Sequence, residues 1–175
     1  MWIKIALGFA VVVLALAAFV ATRPDEFSVS RSATFAAPAS AVFAQVNELR
    51  KWKAWSPWAK KDPNAKETYG GPTAGTGASM AWAGNKEVGE GRMTIVESRA
   101  NELVRFKLEF FKPFAATNSA EFSFREAGGR TDVTWTMRGT NNFIGKAMCL
   151  VIDMDRLVGG DFEQGLAGIR AIVER

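Results

Sequence analysis

The chain has 175 residues, a hydrophobic fraction of 48% and a net charge of +4. This length suits one domain with its own core plus an appendage, and the hydrophobic content is too high for a disordered protein. The modest positive charge suits a protein near an anionic membrane surface, and it falls well short of a nucleic-acid-binding composition. We therefore predict no nucleic-acid partner.

Histidine is absent, and cysteine occurs once, as Cys149. The commonest general base and metal ligand is therefore missing, and neither a Ser-His-Asp nor a Cys-His site can be built from this chain alone. A zinc site would have to rest on one cysteine and carboxylates. We identify no catalytic residue, no metal ligand and no cofactor. The apolar, helix-like sequence around Cys149 predicts a buried, inert thiol.

An uninterrupted apolar segment runs from Ile5 to Ala21. A helix of this length reaches roughly 26 Å, and the residues before Lys4 extend it to the roughly 30 Å of a hydrocarbon core. We therefore predict a single-pass membrane anchor over residues 1–23, with the domain that follows on the non-cytoplasmic side. The alternative is a cleaved secretory signal, with Lys4 as its positive region and small residues at 15–17 for cleavage.

The domain that we predict over residues 26–175 begins with a strand, because residues 27–35 alternate apolar and polar side chains. Pro38 then opens a helix, at a position where its missing N–H costs nothing. A second short helical segment is expected from Leu49 to Trp55. Ser56-Pro57 should stop it.

After a turn-rich loop at residues 70–77, five more strands are predicted: Ser79–Ala83, Gly91–Arg99, Leu103–Phe111, Thr117–Arg125 and Thr131–Arg138. They should form an antiparallel meander, since no helix-length crossover separates them. Gly128-Gly129 predicts a hairpin between the last two. Residues 142–175 carry apolar side chains, Leu157 among them, at the three- and four-residue steps of an amphipathic helix, with Gly159-Gly160 as the point where it could kink.

One face of these strands is apolar and bulky, with six aromatic rings and three methionines among twelve positions. A long helix laid across this face would either fill the space or leave a cavity whose methionine and aromatic walls suit an apolar ligand. We predict that the cavity-lining, ligand-binding residues are Met80, Trp82, Met93, Ile95, Phe106, Leu108, Phe110, Phe122, Phe124, Val133, Trp135 and Met137.

Further residues bear on this cavity. Trp55 and Trp58 lie in a cation-rich segment at residues 50–61 and are predicted to plug one end of the cavity; the alternative is a surface that settles into an anionic membrane interface. Asp153 and Asp155 are predicted to be solvated helix acids and not a cation site. The polar residues expected at the cavity mouth are Asn85, Glu87, Asn141 and Asn142, and the alternative for each is a role in a turn.

The order of elements, with the sequences APASAVF at 37–43 and WKAWSPW at 52–58, resembles the SRPBCC superfamily of START-like and Bet v 1-type domains. More narrowly, residues 68–72, 84–89 and Met154-Asp155 resemble membrane-anchored bacterial members labelled polyketide cyclase family proteins. The resemblance covers residues 26–174. It implies an α+β helix-grip fold, in which a curved antiparallel sheet wraps a long C-terminal helix and a deep cavity lies between them.

From the residues and this resemblance we predict a membrane-tethered protein that binds an apolar small molecule, lipid-like or polycyclic. Two alternatives stay open. One is an enzyme of the polyketide cyclase or dehydrase kind that uses carboxylates in the cavity. The other is an interaction module of a membrane complex, which a large exposed apolar patch would favour.

Overall fold

The computed structural model describes residues 2–151 and 153–175. Its helices are α1 (Trp2–Ala21), α2 (Ala39–Asn47), α3 (Trp52–Trp55), α4 (Pro57–Lys61), α5 (Phe143–Cys149) and α6 (Met154–Val173), with a 3₁₀ turn at Leu49–Lys51. Its strands are β1 (Glu26–Phe35), β2 (Lys66–Gly70), β3 (Ser79–Ala83), β4 (Glu90–Arg99), β5 (Leu103–Lys112), β6 (Ala116–Ala127) and β7 (Arg130–Thr140).

The strands form one seven-stranded sheet in the order β1-β7-β6-β5-β4-β3-β2. Every neighbouring pair is antiparallel, so β3 to β7 form the predicted meander, with β2 added at one edge and β1 at the other, beside β7. Helix α6 packs against β1, α3 and α4, while α2 packs against β5, β6 and β7. The predicted α+β fold, with a sheet around a long C-terminal helix, is confirmed.

The curvature of the sheet has a local origin in β4. The register with β5 shifts between Glu90 and Gly91 and again between Ile95 and Glu97. Such bulges bend a strand and increase its twist, which turns the sheet around the helix. Gly91 is required at the first bulge, because a Cβ there would lie 2.5 Å from the Trp82 ring and 2.6 Å from the Glu109 carbonyl oxygen.

The core is centred on Trp135 of β7. Its ring stacks on Phe162 of α6 at a centroid distance of 4.0 Å and on Phe122 of β6 at 4.4 Å. Trp52 and Trp55 of α3 approach it edge-on at 6.0 and 5.9 Å. Aromatic pairs in these geometries add to the stabilisation from burial alone. This cluster fixes α3 and α6 to the sheet.

Two elements were absent from the sequence prediction. Ser56-Pro57 ends the helical segment at Trp55 as predicted, and Pro57 also occupies the first turn of a further helix, α4, which was not predicted. The strand β2 has only five residues, lies at the sheet edge and pairs with β3 alone. Charged side chains are common on such edges because they discourage further pairing, and they hide the strand pattern in the sequence.

Helix α6 continues through Gly159-Gly160, from Met154 to Val173. Gly159 has a packing role. A Cβ at this position would lie 2.0 Å from the Arg31 guanidinium, which crosses the helix to form ion pairs with Asp155 and Glu163.

Two predictions about the last third of the chain were wrong. Cys149 is exposed, because α5 lies on the outside of the domain, beside α1. Leu157 belongs to the apolar pattern of α6, yet its side chain is exposed near the first turn of that helix. Both residues follow an apolar periodicity without facing the core.

Helix α1 is long and apolar enough to cross a membrane, and it is almost entirely exposed in the isolated chain. N-terminal signal sequences have the same length and composition. The membrane anchor over residues 1–23 and the domain boundary at residue 26 therefore stay predictions.

Candidate ligand cavity

A cavity of about 1160 Å³ lies between the concave face of the sheet and the helices α3, α4, α5 and α6. Ligand pockets for drug-sized molecules usually measure about 300–1,000 Å³, so this one has room for a large ligand. Eight of the twelve residues predicted to line a cavity border it: Met80, Trp82, Met93, Phe106, Leu108, Phe110, Trp135 and Met137.

The other four predicted residues, Ile95, Phe122, Phe124 and Val133, do not border the cavity and lie in the packed core. They share the inward face of the sheet, but α2 and α3 cover that part of it. Phe43 of α2 meets Phe124 edge-on at 5.6 Å, and Trp52 meets Phe122 at 6.0 Å. Alternation along a strand identifies a face, and it does not show how far the covering helices reach.

Tryptophans form the closed end of the cavity. Trp58 borders the cavity as predicted, but the prediction for Trp55 was wrong, because its side chain is fully buried in the core. Trp52, which the sequence analysis did not select, borders the cavity instead. Two backbone carbonyls fix this group: the indole N–H of Trp52 donates to Val46 at 2.9 Å, and that of Trp55 donates to Gln45 at 3.1 Å. A tryptophan pair held by hydrogen bonds gives the closed end a defined shape.

One ion pair is built into the wall. The Lys61 ammonium lies 2.7 Å from both carboxylate oxygens of Asp161, and both residues border the cavity. Asp161 is almost completely buried on α6. A charged group in such a place is stable only when it is paired. The pair is a charged position in a mostly apolar wall.

Glu67 of β2 is a second acidic group on the wall. Its carboxylate accepts a hydrogen bond from the Tyr69 hydroxyl at 2.6 Å. Burial of the Tyr69 hydroxyl, which is the larger cause, and the hydrogen bond to Glu67, which is the second, together raise the pKa of Tyr69 to about 12. The Arg50 guanidinium lies over the Tyr69 ring, 4.3 Å from its centroid. Tyr69 therefore stays a neutral donor over the ordinary pH range.

Three of the four polar residues expected at the mouth border the cavity: Glu87, Asn141 and Asn142. Asn85 does not, because its side-chain oxygen accepts from the backbone N–H groups of Glu87 and Val88 and so forms a turn. Asn142 also caps α5, accepting from Gly145 at 2.9 Å.

The rest of the mouth is apolar. Sequence reasoning placed none of its side chains there: Phe114, Ile144, Met148 and Leu157. All four are exposed or half-buried, and they come from the β5–β6 connection, α5 and the start of α6. Their convergence depends on the tertiary fold.

Asp153 and Asp155 have structural roles. Asp153 caps α6 by accepting from the N–H of Arg156 at 3.0 Å, and Asp155 pairs with Arg31 at 2.9 Å. The hydrogen bond from Arg31 holds the pKa of Asp155 below its usual range. Within residues 2–151 and 153–175, histidine, cysteine and acidic side chains form no group of three that could hold a metal ion.

Comparison with known families agrees with this arrangement. The model of the family described as polyketide cyclase / dehydrase and lipid transport matches residues 26–174. The chain belongs to this family. Because the family description names both enzymes and lipid carriers, membership leaves the choice between them to the residues of the cavity.

Solved structures show the same fold at low sequence identity. A protein of Chromobacterium violaceum is 14% identical with a TM-score of 0.59, covering 85% of this chain and 97% of its own. The Aha1 dimer from Colwellia psychrerythraea is 12% identical, with a TM-score of 0.61 and coverages of 85% and 96%. Ara h 8.0201 is 10% identical, with a TM-score of 0.55 and coverages of 83% and 99%. No curated protein is significantly similar in sequence.

Proposed function

We propose that the chain is a membrane-tethered binding protein for an apolar small molecule, lipid-like or polycyclic. The observation that carries this proposal is the cavity of about 1160 Å³, whose sheet-side wall is built mainly from methionines, aromatic side chains and Leu108. Burial of apolar ligand surface contributes about 25 cal/mol per Å², so a ligand that fills such a space gains affinity without specific polar contacts.

The wall also favours a ligand with one polar end. The Lys61–Asp161 pair is the polar position on the α4–α6 side, and Lys61 retains donor capacity beyond its two bonds to Asp161. Met80, Met93 and Met137 supply flexible, polarisable surface that adapts to irregular shapes. An amphipathic molecule would place its polar group at Lys61 and its apolar body against the methionines.

The binding role accounts for the acidic groups better than the enzymatic alternative does. A catalytic carboxylate in this cavity would need a free oxygen within reach of the substrate. Asp161 is the one buried carboxylate among the described residues of the wall, and both of its oxygens are engaged by Lys61, while one oxygen of Glu67 accepts the Tyr69 hydroxyl. These contacts favour a wall that holds its shape over one that transfers protons.

The tether in this proposal is α1. Its 20 residues correspond to about 30 Å of helix, which is the thickness of a hydrocarbon core. Only four residues separate the end of α1 at Ala21 from the start of β1 at Glu26. The binding domain would therefore lie directly on the bilayer.

A titration with an anthracene-type fluorescent probe tests the proposed function. The full chain is held in nanodiscs, and energy transfer is followed from the tryptophans that border the cavity to the probe. We expect saturable transfer above the linear background of empty nanodiscs, because a closed site fills and a bilayer does not saturate. Energy transfer that rises only in proportion to the amount of probe dissolved in the lipid would contradict the proposal.

A further inference from the structure

The open end of the cavity is surrounded by exposed apolar side chains. We define the apolar collar as the exposed apolar side chains that border the cavity, Phe114, Ile144, Met148 and Leu157, together with Val151, whose backbone N–H donates to the Met148 carbonyl oxygen at 3.0 Å. Ile144 is 62% exposed, Phe114 61% and Leu157 56%, and all three border the cavity. Soluble proteins rarely leave a contiguous patch of large apolar side chains in water, so such a patch indicates a contact surface.

The collar is attached to the end of α1. Helix α5, which carries Ile144 and Met148, packs against α1. Val20, in the last turn of α1, is only 5% exposed. The ammonium of Lys146 in α5 forms an ion pair with Asp25 and lies 3.5 Å from the Ala21 carbonyl oxygen. These contacts fix α5 against the point where α1 ends.

This attachment sets the depth of the collar when α1 spans a bilayer. The 20 residues of α1 use the whole hydrocarbon thickness, so its last turn lies at the boundary between acyl chains and headgroups. Helix α5 packs there and is held at the same depth. Amphipathic helices at this boundary bury their apolar face about 5–10 Å, which suits side chains such as Ile144 and Val151.

Cations near the collar fit the same surface. Arg23 follows α1 directly and lies over the Phe19 ring, 4.2 Å from its centroid. Lys86 is exposed beside Glu87 at the mouth, and Lys112, which pairs with Glu90 at 2.7 Å, is exposed at the end of β5 on the cavity border. Basic side chains at the headgroup level are attracted to anionic lipids, each by about 1 kcal/mol.

We propose that the apolar collar inserts into the bilayer that α1 spans, so that the cavity mouth opens onto lipid and the ligand enters from the membrane without crossing water. The occupant of this surface is the lipid bilayer itself. The entry route rests on the proposed function, whereas the insertion of the collar does not depend on any ligand.

The sole cysteine of the chain provides the test. Cys149 lies on α5 and is exposed, so a polarity-sensitive fluorophore attached to it reports the surroundings of the collar. The labelled full chain is placed in nanodiscs whose phospholipids carry bromine near the top of the acyl chains. We expect a blue-shifted emission and quenching of at least about two-fold, because the label lies within the 5–10 Å of an interfacial helix.

A matched label at the other end of the domain is the control. Ala127→Cys, combined with Cys149→Ser, places the same fluorophore beside the β6–β7 hairpin turn, opposite the mouth. This label should keep the emission it has in water and show no bromine quenching. Water-like emission from Cys149 in nanodiscs would overturn the proposal. A blue shift that follows the number of chains per nanodisc would also overturn it, since a second copy would then cover the collar.

Two valine-to-aspartate substitutions, one inside the collar and one outside it, test whether the collar itself inserts. Val151→Asp places a charge in the collar, where Val151 is 88% exposed, and Val96→Asp places one on the solvated face of β4. Val151→Asp should reduce bromine quenching of the Cys149 label at least about two-fold, because a charge resists insertion into lipid. Val96→Asp should leave it unchanged. Equal quenching in both variants would contradict insertion. The label is read without ligand, so a failure of probe binding leaves this result intact.

Discussion

The closed and open ends of the cavity are built from similar side chains and differ in what covers them. At the closed end, Trp135 stacks on both Phe122 and Phe162, and the three side chains leave almost no exposed surface. At the open end, Phe114 and Ile144 face outward. The large apolar side chains therefore stabilise the fold at the closed end. At the open end, similar side chains are free to contact a partner. This difference in exposure distinguishes the residues that maintain the shape of the cavity from the residues that surround its entrance.

Removing the central ring of the closed end should have the largest effect on stability. Trp135→Ala deletes a side chain stacked on two others, and large-to-small changes of this kind cost about 3–5 kcal/mol. Phe114→Ala at the open end should change the free energy of unfolding by less than about 0.5 kcal/mol, since its side chain is exposed. Denaturant unfolding of both variants in detergent measures the two values. Similar losses would remove the distinction between the two ends.

Two glycines of α6 also differ in whether other parts of the chain pack against them. A Cβ on Gly168 would lie 2.7 Å from the Trp55 carbonyl oxygen, whereas one on Gly160 meets nothing within 4 Å. Gly168→Ala should destabilise the chain by about 1–3 kcal/mol, because the backbone of α3 cannot move aside cheaply. Gly160→Ala should stabilise it by up to about 1 kcal/mol, the usual helix gain. Thermal unfolding compares them, and shifts of the same sign would show that α3 and α6 are not in firm contact.

Filling the cavity should weaken ligand binding without weakening the fold. Leu108 is half-buried on the wall, and its neighbour Lys107 points to the opposite, solvated face. Leu108→Trp should lower the affinity for the anthracene-type probe by about ten-fold, or about 1.4 kcal/mol. Lys107→Trp adds the same ring outside the cavity and should leave the affinity unchanged. Equal affinities in the two variants would place the probe elsewhere.

The smallest expected effect concerns Tyr69, the only tyrosine. Its pKa is raised to about 12 in the folded chain, so its tyrosinate absorbance should titrate near that value and return to about 10 on denaturation. Because the folded-state pKa is the higher one, the stabilisation is fully present below pH 10 or so and is lost as the pH rises towards 12. A native midpoint near 10 would show that Tyr69 is not buried against Glu67.

Periodicity predicted most of the fold because most elements bury one regular face. The hairpin through Gly128-Gly129 is confirmed, and β4 and β5 begin and end within one residue of their predicted bounds. The strand β2 was missed because a five-residue edge strand carries little apolar signal. The helix α4 was missed because Pro57 was given one role, and a proline can both end one helix and begin another.

The cavity was predictable only in part. Strand alternation identified the inward face, but the boundary between packed core and open cavity depends on where α2 and α3 lie on the sheet. Phe122 and Met137 both point inward, yet only Met137 borders the cavity. The collar residues Phe114 and Ile144 belong to separate segments, and nothing local in the sequence indicates that they meet.

Mass spectrometry of the small molecules that the full chain retains tests the binding role most directly. Wild-type chain and Leu108→Trp are purified side by side from membranes into nanodiscs of one synthetic lipid. We predict that the wild type retains an apolar molecule near one per chain and that the filled variant retains much less of it, because the added indole occupies the space. Equal and trace amounts in both preparations would mean that the cavity holds no ligand, and would contradict the proposed function.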